Sequence, residues 1–105
     1  MRGPVMFKSE HYKDDDLNPA GGFSEATGVR IDWQKGPLVK PEDRNGAFVE
    51  EVIAMAADRI MFYQESKFHC VENAVALGHL LAASEVLKER FRDRSDRGVE
   101  GSHQK

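Results

Sequence analysis

The sequence predicts an α+β chain in which a short β segment precedes a long antiparallel two-helix hairpin. Three observations predict it. In "GVRIDWQ", Val29, Ile31 and Trp33 alternate with Arg30, Asp32 and Gln34, the two-residue period of a half-buried strand. From Phe48 the period changes to the three-and-four spacing of an amphipathic helix. After a connector of only a few residues the same spacing resumes, and a short link between two helices makes them antiparallel neighbours.

Taken in order, residues 1–28 are expected to be a turn-rich arm, because "KDDDLNPAGGFSEATG" clusters acidic and turn-forming residues. The strand follows at Val29. "KGP" interrupts it, and "PLVK" is expected to add a short second strand, placing the β segment at 29–40. A lone strand has no stability, so a partner is required in the arm or in a neighbouring subunit. The first helix is expected over 48–65, with Val49, Val52, Ile53, Ala56, Ile60 and Tyr63 facing inward. Glu50 and Glu51 suit its first turn, where carboxylates meet the positive end of the helix dipole. "ESKFHC" connects, with Phe68 expected to tuck inward.

The second helix is expected over 71–96, carrying Ala74, Leu77, Leu80, Leu81, Ser84, Leu87 and Phe91 inward. Gly98 is placed to end it in the left-handed conformation, leaving residues 97–105 as a tail. At about 1.5 Å per residue this helix reaches roughly 39 Å against roughly 27 Å for the first. Its far end must therefore project or pack on another chain.

Composition bounds the function. The chain has 105 residues, a net charge of −3, 40% hydrophobic and 31% charged residues, which fits one small globular domain. A domain this size buries a smaller share of its surface than a large one, and subunit packing is a natural supplement. The acidic balance argues against general DNA binding, which needs a spread of cations. With one cysteine, Cys70, no intrachain disulfide forms, and a reducing compartment fits. The N-terminal apolar run is too short for a signal peptide and no segment is long enough to span a membrane, so a cytoplasmic location is expected.

Two groups of residues carry candidate chemistry. Arg90, Arg92, Arg94 and Arg97 are four of the eight arginines. At about 100° per residue, Arg94 lies about 40° from Arg90 and Arg97 about 20° the other way, whereas Arg92 points opposite. The stripe reads either as a solvated face, with Arg90–Asp93 and Arg92–Asp96 as surface pairs, or as an anion site using the planar guanidinium fork. Tyr63 and Asn73 flank the hairpin bend. Tyr63 either packs the hairpin or offers a flat face to a base; Asn73 either starts the helix or contacts a ligand. His69, Cys70 and His79 match no common zinc spacing, and no phosphate loop, nucleophile elbow or paired carboxylates occur.

Together, "IDWQKGPL", "DRIMFYQESKFHCVENAVAL", "ERFRDR" and "RGVEGSHQK" resemble the Thoeris anti-defence family of bacteriophage sponge proteins, of the first-described type. That family shares its helical-hairpin domain with the phage anti-CBASS sponges. The resemblance spans residues 29–105, and "RDRSDRGVEGSH" is its most specific part.

The resemblance implies binding without turnover. Such proteins act in the host cytoplasm and capture cyclic ADP-ribose isomers, such as glycocyclic ADP-ribose, made by bacterial TIR-domain enzymes. The defence effector is then never activated. Some relatives also take cyclic di- or trinucleotides at a separate site. The implied fold is a small β-rich N-terminal part followed by two long helices, assembled as homodimers that can group into hexamers. By position, the ligand-binding residues implied are Tyr63, Asn73 and Arg90, with Arg94 one turn later sharing the pyrophosphate. Tyr63 stands where phenylalanine is commoner, which keeps the stacking face and adds a hydroxyl. No cofactor, metal or catalytic residue is implied. The competing readings are an enzyme that degrades such a signal and a helical protein-interaction module.

Overall fold

The computed structural model describes residues 6–96, with side chains as far as Arg90. The chain divides into two compact units, one running up to Phe48 and the other starting at Val49.

The first unit is a three-stranded antiparallel sheet in the order β1 (Lys8–Lys13), β2 (Pro19–Ala26), β3 (Val29–Asp32). Its turns explain the composition of this region. The Asp14 carboxylate accepts hydrogen bonds from the amides of Asp16 and Asn18, both at 2.9 Å, an aspartate-built turn that joins β1 to β2. Thr27 and Gly28 join β2 to β3, with Gly28 at φ 89°. Within the turn-rich arm expected over residues 1–28, Lys8–Lys13 and Pro19–Ala26 are strands, and the acidic cluster is the hairpin turn between them. "KSEHYK" lacks apolar alternation, so nothing in its pattern announced a strand, and pairing with β2 makes it one. Gly22 shows how close the two strands come. At φ 128°, a Cβ there would collide with the carbonyl of Glu10.

On one face, the Arg30 guanidinium lies 4.4 Å from the Phe23 ring centre and bonds Glu25 and Asp32 at 3.1 Å each. These hydrogen bonds, Asp32 first, raise its pKa. On the other, the Ser9 and Ser24 hydroxyls meet at 2.7 Å, and Trp33 Nε1 donates to Ser24 Oγ at 3.0 Å.

β3 finds its required partner in β2 of the same chain. The second strand expected at "PLVK" does not form; that segment leads into a short 3-10 turn, Pro41–Asp43. Gln34 decides the path instead. Its Nε2 donates to the Asp43 carbonyl at 3.0 Å, while its Oε1 accepts from the amides of Asn45 and Gly46 at 3.0 and 3.1 Å. One side chain thereby folds residues 34–46 back on themselves, and Ala47 rather than the "PLVK" segment bridges to Trp33.

The second unit is a hairpin of α1 (Val49–Gln64) and α2 (Val71–Asp96), close to the ranges expected, and its helices pack on one another. The seam is lined by Val52, Ile53, Ala57, Ile60 and Gln64 of α1. From α2 come Asn73, Ala76, Leu77, Leu80, Ala83, Ser84 and Leu87. Ala57 is the one buried hydrophobic residue among those described, at 3% exposed. Ala56, Tyr63, Ala74 and Leu81, expected inward, are exposed. For Ala74 and Leu81 the reason lies in α2. At about 100° per residue, Val71, Val75, Gly78, Ala82 and Val86 form a second apolar face opposite the seam, and all are exposed. Two apolar faces blur the period that marks a single one. Phe91 and Gly98 lie outside the described side chains. Among the described residues no helix is long and apolar enough to cross a membrane.

Replacing Gln34 with alanine is expected to lower the stability of the sheet unit by about 1–2 kcal/mol, since each net hydrogen bond contributes about 0.5–1.5 kcal/mol. Urea unfolding followed by the fluorescence of the neighbouring Trp33 measures it.

Candidate functional site

The hairpin turn is built by one clamp. Gln64, the last residue of α1, donates from Nε2 to the Cys70 carbonyl and accepts the Cys70 amide on Oε1, both at 3.0 Å. Cys70 in turn caps α2: its Sγ accepts the Asn73 amide at 3.4 Å, the task a serine or aspartate performs at most helix starts. Between them, Ser66 Oγ donates to the Tyr63 carbonyl at 2.6 Å and accepts the Phe68 amide at 3.0 Å. His69 Nδ1 donates to the Ser66 carbonyl at 2.8 Å.

This turn places Tyr63 and Asn73 at the same end of the hairpin. Tyr63 is 37% exposed on the last turn of α1. Asn73 is half-buried, and its Nδ2 donates to the Phe68 carbonyl at 3.4 Å. Phe68, expected inward, is 68% exposed. Its amide and carbonyl are both engaged in closing the turn, which directs its side chain outward, with the Lys67 ammonium 5.3 Å above the ring.

Arg59, absent from the expected set, lies over the aromatic residues at this end. Its guanidinium lies 4.8 Å from the Phe62 ring centre and 5.0 Å from that of Tyr63, and the two rings are 6.2 Å apart at 55°. The signal was present in the spacing, because residues three and four apart on a helix are neighbours.

Arg90 stands elsewhere. It is exposed near the other end of α2, roughly 25 Å along the helix from Asn73. A single chain therefore does not bring Arg90 together with Tyr63 and Asn73. The Arg94 side chain, Arg92, Arg97 and the tail lie outside the described side chains. The sheet unit has a separate open groove lined by Tyr12, Gly21, Gly22, Trp33, Lys35 and Asn45. Tyr12 donates to Glu10 at 2.8 Å, and that hydrogen bond raises its pKa.

The hairpin thus carries a tilted aromatic pair beside Arg59 and a half-buried amide at its turn, with an exposed arginine near its other end, and its class is that of a two-helix hairpin domain. The chain belongs to the Acb2/Tad1 hairpin-domain family, matching it over residues 25–96. It is similar to Thoeris anti-defense 1 of Bacillus phage SBSphiJ7, at 40% identity over 75 residues, a match covering 71% of this chain and 52% of that protein. The chain spans about half the length of that relative.

Substituting Gln64 with leucine is expected to destabilise the hairpin by about 1–2 kcal/mol, because the change strands two backbone groups. Hydrogen exchange at the Cys70 amide should speed up before exchange in the middle of α2.

Proposed function

We propose that this protein is a phage-type anti-defence sponge. It binds a cyclic nucleotide immune signal of the cyclic ADP-ribose kind, holds it without degrading it, and so blocks Thoeris signalling in the host cytoplasm. The family match over residues 25–96 carries this reading. Cyclic di- and trinucleotides, and with them CBASS signalling, form the wider set of targets.

In this reading Tyr63 stacks a base, Asn73 reads its edge, and Arg90 and Arg94 hold the diphosphate. Stacking contributes about 1–3 kcal/mol per base and each charge-assisted hydrogen bond about 1.5–3 kcal/mol. Nanomolar capture needs about 12 kcal/mol, so several such contacts must act together in an enclosed pocket.

The separation of roughly 25 Å along α2 exceeds what a small cyclic nucleotide spans, so the arginines must come from a second copy. Two hairpins docked antiparallel about a two-fold axis meet this need. The turn of one then lies beside the far end of the other, and the symmetry builds two equal sites. The exposed face of Val71, Val75, Gly78, Ala82 and Val86 supports such docking. Gly78 supports it further. Glycine inside a helix costs about 1 kcal/mol relative to alanine, yet a Cβ at Gly78 would meet nothing within 4 Å in the single chain. Close approach of a second helix accounts for it.

The direct test incubates the protein with glycocyclic ADP-ribose, heats the complex and analyses the supernatant. Intact ligand is expected, and a cleaved product would instead establish an enzyme that destroys the signal. Tyr63→Ala and Arg90→Ala should each weaken capture by about one to two orders of magnitude while keeping their helical content. Mixing the two variants should restore about a quarter of wild-type sites, since half the dimers are mixed and each holds one intact site.

Assembly has its own test. Gly78→Leu is expected to shift the dimer toward monomer in sedimentation velocity while leaving the monomer helical.

A further inference from the structure

We propose that Arg59 is a positioning residue for the nucleotide site, holding the Tyr63 ring in the orientation that receives a base. This rests on the reading of Tyr63 as the stacking surface. Tyr63 and Phe62 sit on an exposed helix end, where an aromatic side chain is otherwise free to change rotamer. A guanidinium within about 6 Å of a ring centre is attracted to its negative face, and Arg59 meets that condition for both rings at once. Phe62 completes the arrangement by packing at a tilt against Tyr63. No ion pair joins Arg59 to a carboxylate among the described residues, so the guanidinium is available to the rings.

The geometry has two consequences. Ordering the ring before the ligand arrives removes an entropic cost that binding would otherwise bear. The guanidinium also occupies one face of Tyr63, which leaves the opposite face for the base. The order cation, ring, base favours an electron-rich purine, because the cation draws density from the ring between them.

Arg59 acts through Tyr63, and that separates this role from a direct phosphate contact. Calorimetric titration with cyclic ADP-ribose of the full-length wild type, Arg59→Gln, Tyr63→Leu and the double variant forms a closed cycle. Arg59→Gln is expected to weaken binding about three- to fivefold, the scale of an exposed cation–π contact, and Arg59→Lys to recover part of it. In the Tyr63→Leu background the same change should have no further effect. Wild-type affinity in Arg59→Gln, or an equal loss in both backgrounds, overturns the proposal and leaves the sponge reading standing. Failure of the wild-type chain to bind removes both. Circular dichroism checks that each variant keeps its helices.

Discussion

A pair of helices shares one seam, and every apolar residue off that seam faces outward. The rest of this hairpin follows from that constraint. α1 and α2 spend Val52, Ile53, Ala57 and Ile60 against Leu77, Leu80, Ala83 and Leu87, and the only apolar residue this buries among those described is Ala57. Val71, Val75 and Val86 remain at 55–75% exposure on the opposite side of α2. Hydrophobic burial at about 25 cal/mol per Å² is the main favourable contribution to folding, and a single seam uses only part of what this sequence offers. The unused face and the proposed shared site are two views of one deficit. A hairpin that separates its aromatic turn from Arg90 also leaves uncovered the face on which the proposed second hairpin would dock.

The sheet unit solves a different problem with different means. Its strands are short and largely polar, and much of what holds them is hydrogen bonding. The Asp14 carboxylate shapes one turn, Ser9, Ser24 and Trp33 tie one face, and Gln34 folds the long loop. Each of these groups is at least partly reachable by water, where the net value of a hydrogen bond is modest. Specific geometry rather than strength is what they supply. Gly22, where a side chain cannot fit against Glu10, adds a steric requirement that no neighbouring strand could relax.

The hairpin was largely legible because a helix carries its own hydrogen bonds and its burial pattern repeats locally. The bounds of α1 and α2 follow from spacing alone, and Tyr63 and Asn73 fall at one end as soon as the connector is short. The inward set was less legible: Ala74 and Leu81 belong to α2's outer side, and a helix apolar on two faces does not say which one meets its neighbour. Phe68 was misplaced because a large apolar residue in a connector suggests burial, whereas the turn's own hydrogen bonds point it away. β1 was illegible because "KSEHYK" has no apolar rhythm, and its strand character comes from β2.

By itself, then, the sequence determined the α+β class, the two helices, the turn between them and the family to which the chain belongs, because each is written in local spacing or in contiguous motifs. Tertiary structure alone decided that the acidic N-terminal cluster turns between two paired strands, that Gln34 redirects the chain after β3, and that Phe68 faces outward. The physical reason is the same in each case: these are questions of which groups meet across a fold, and side-chain hydrogen bonds answer them only once the chain has closed on itself.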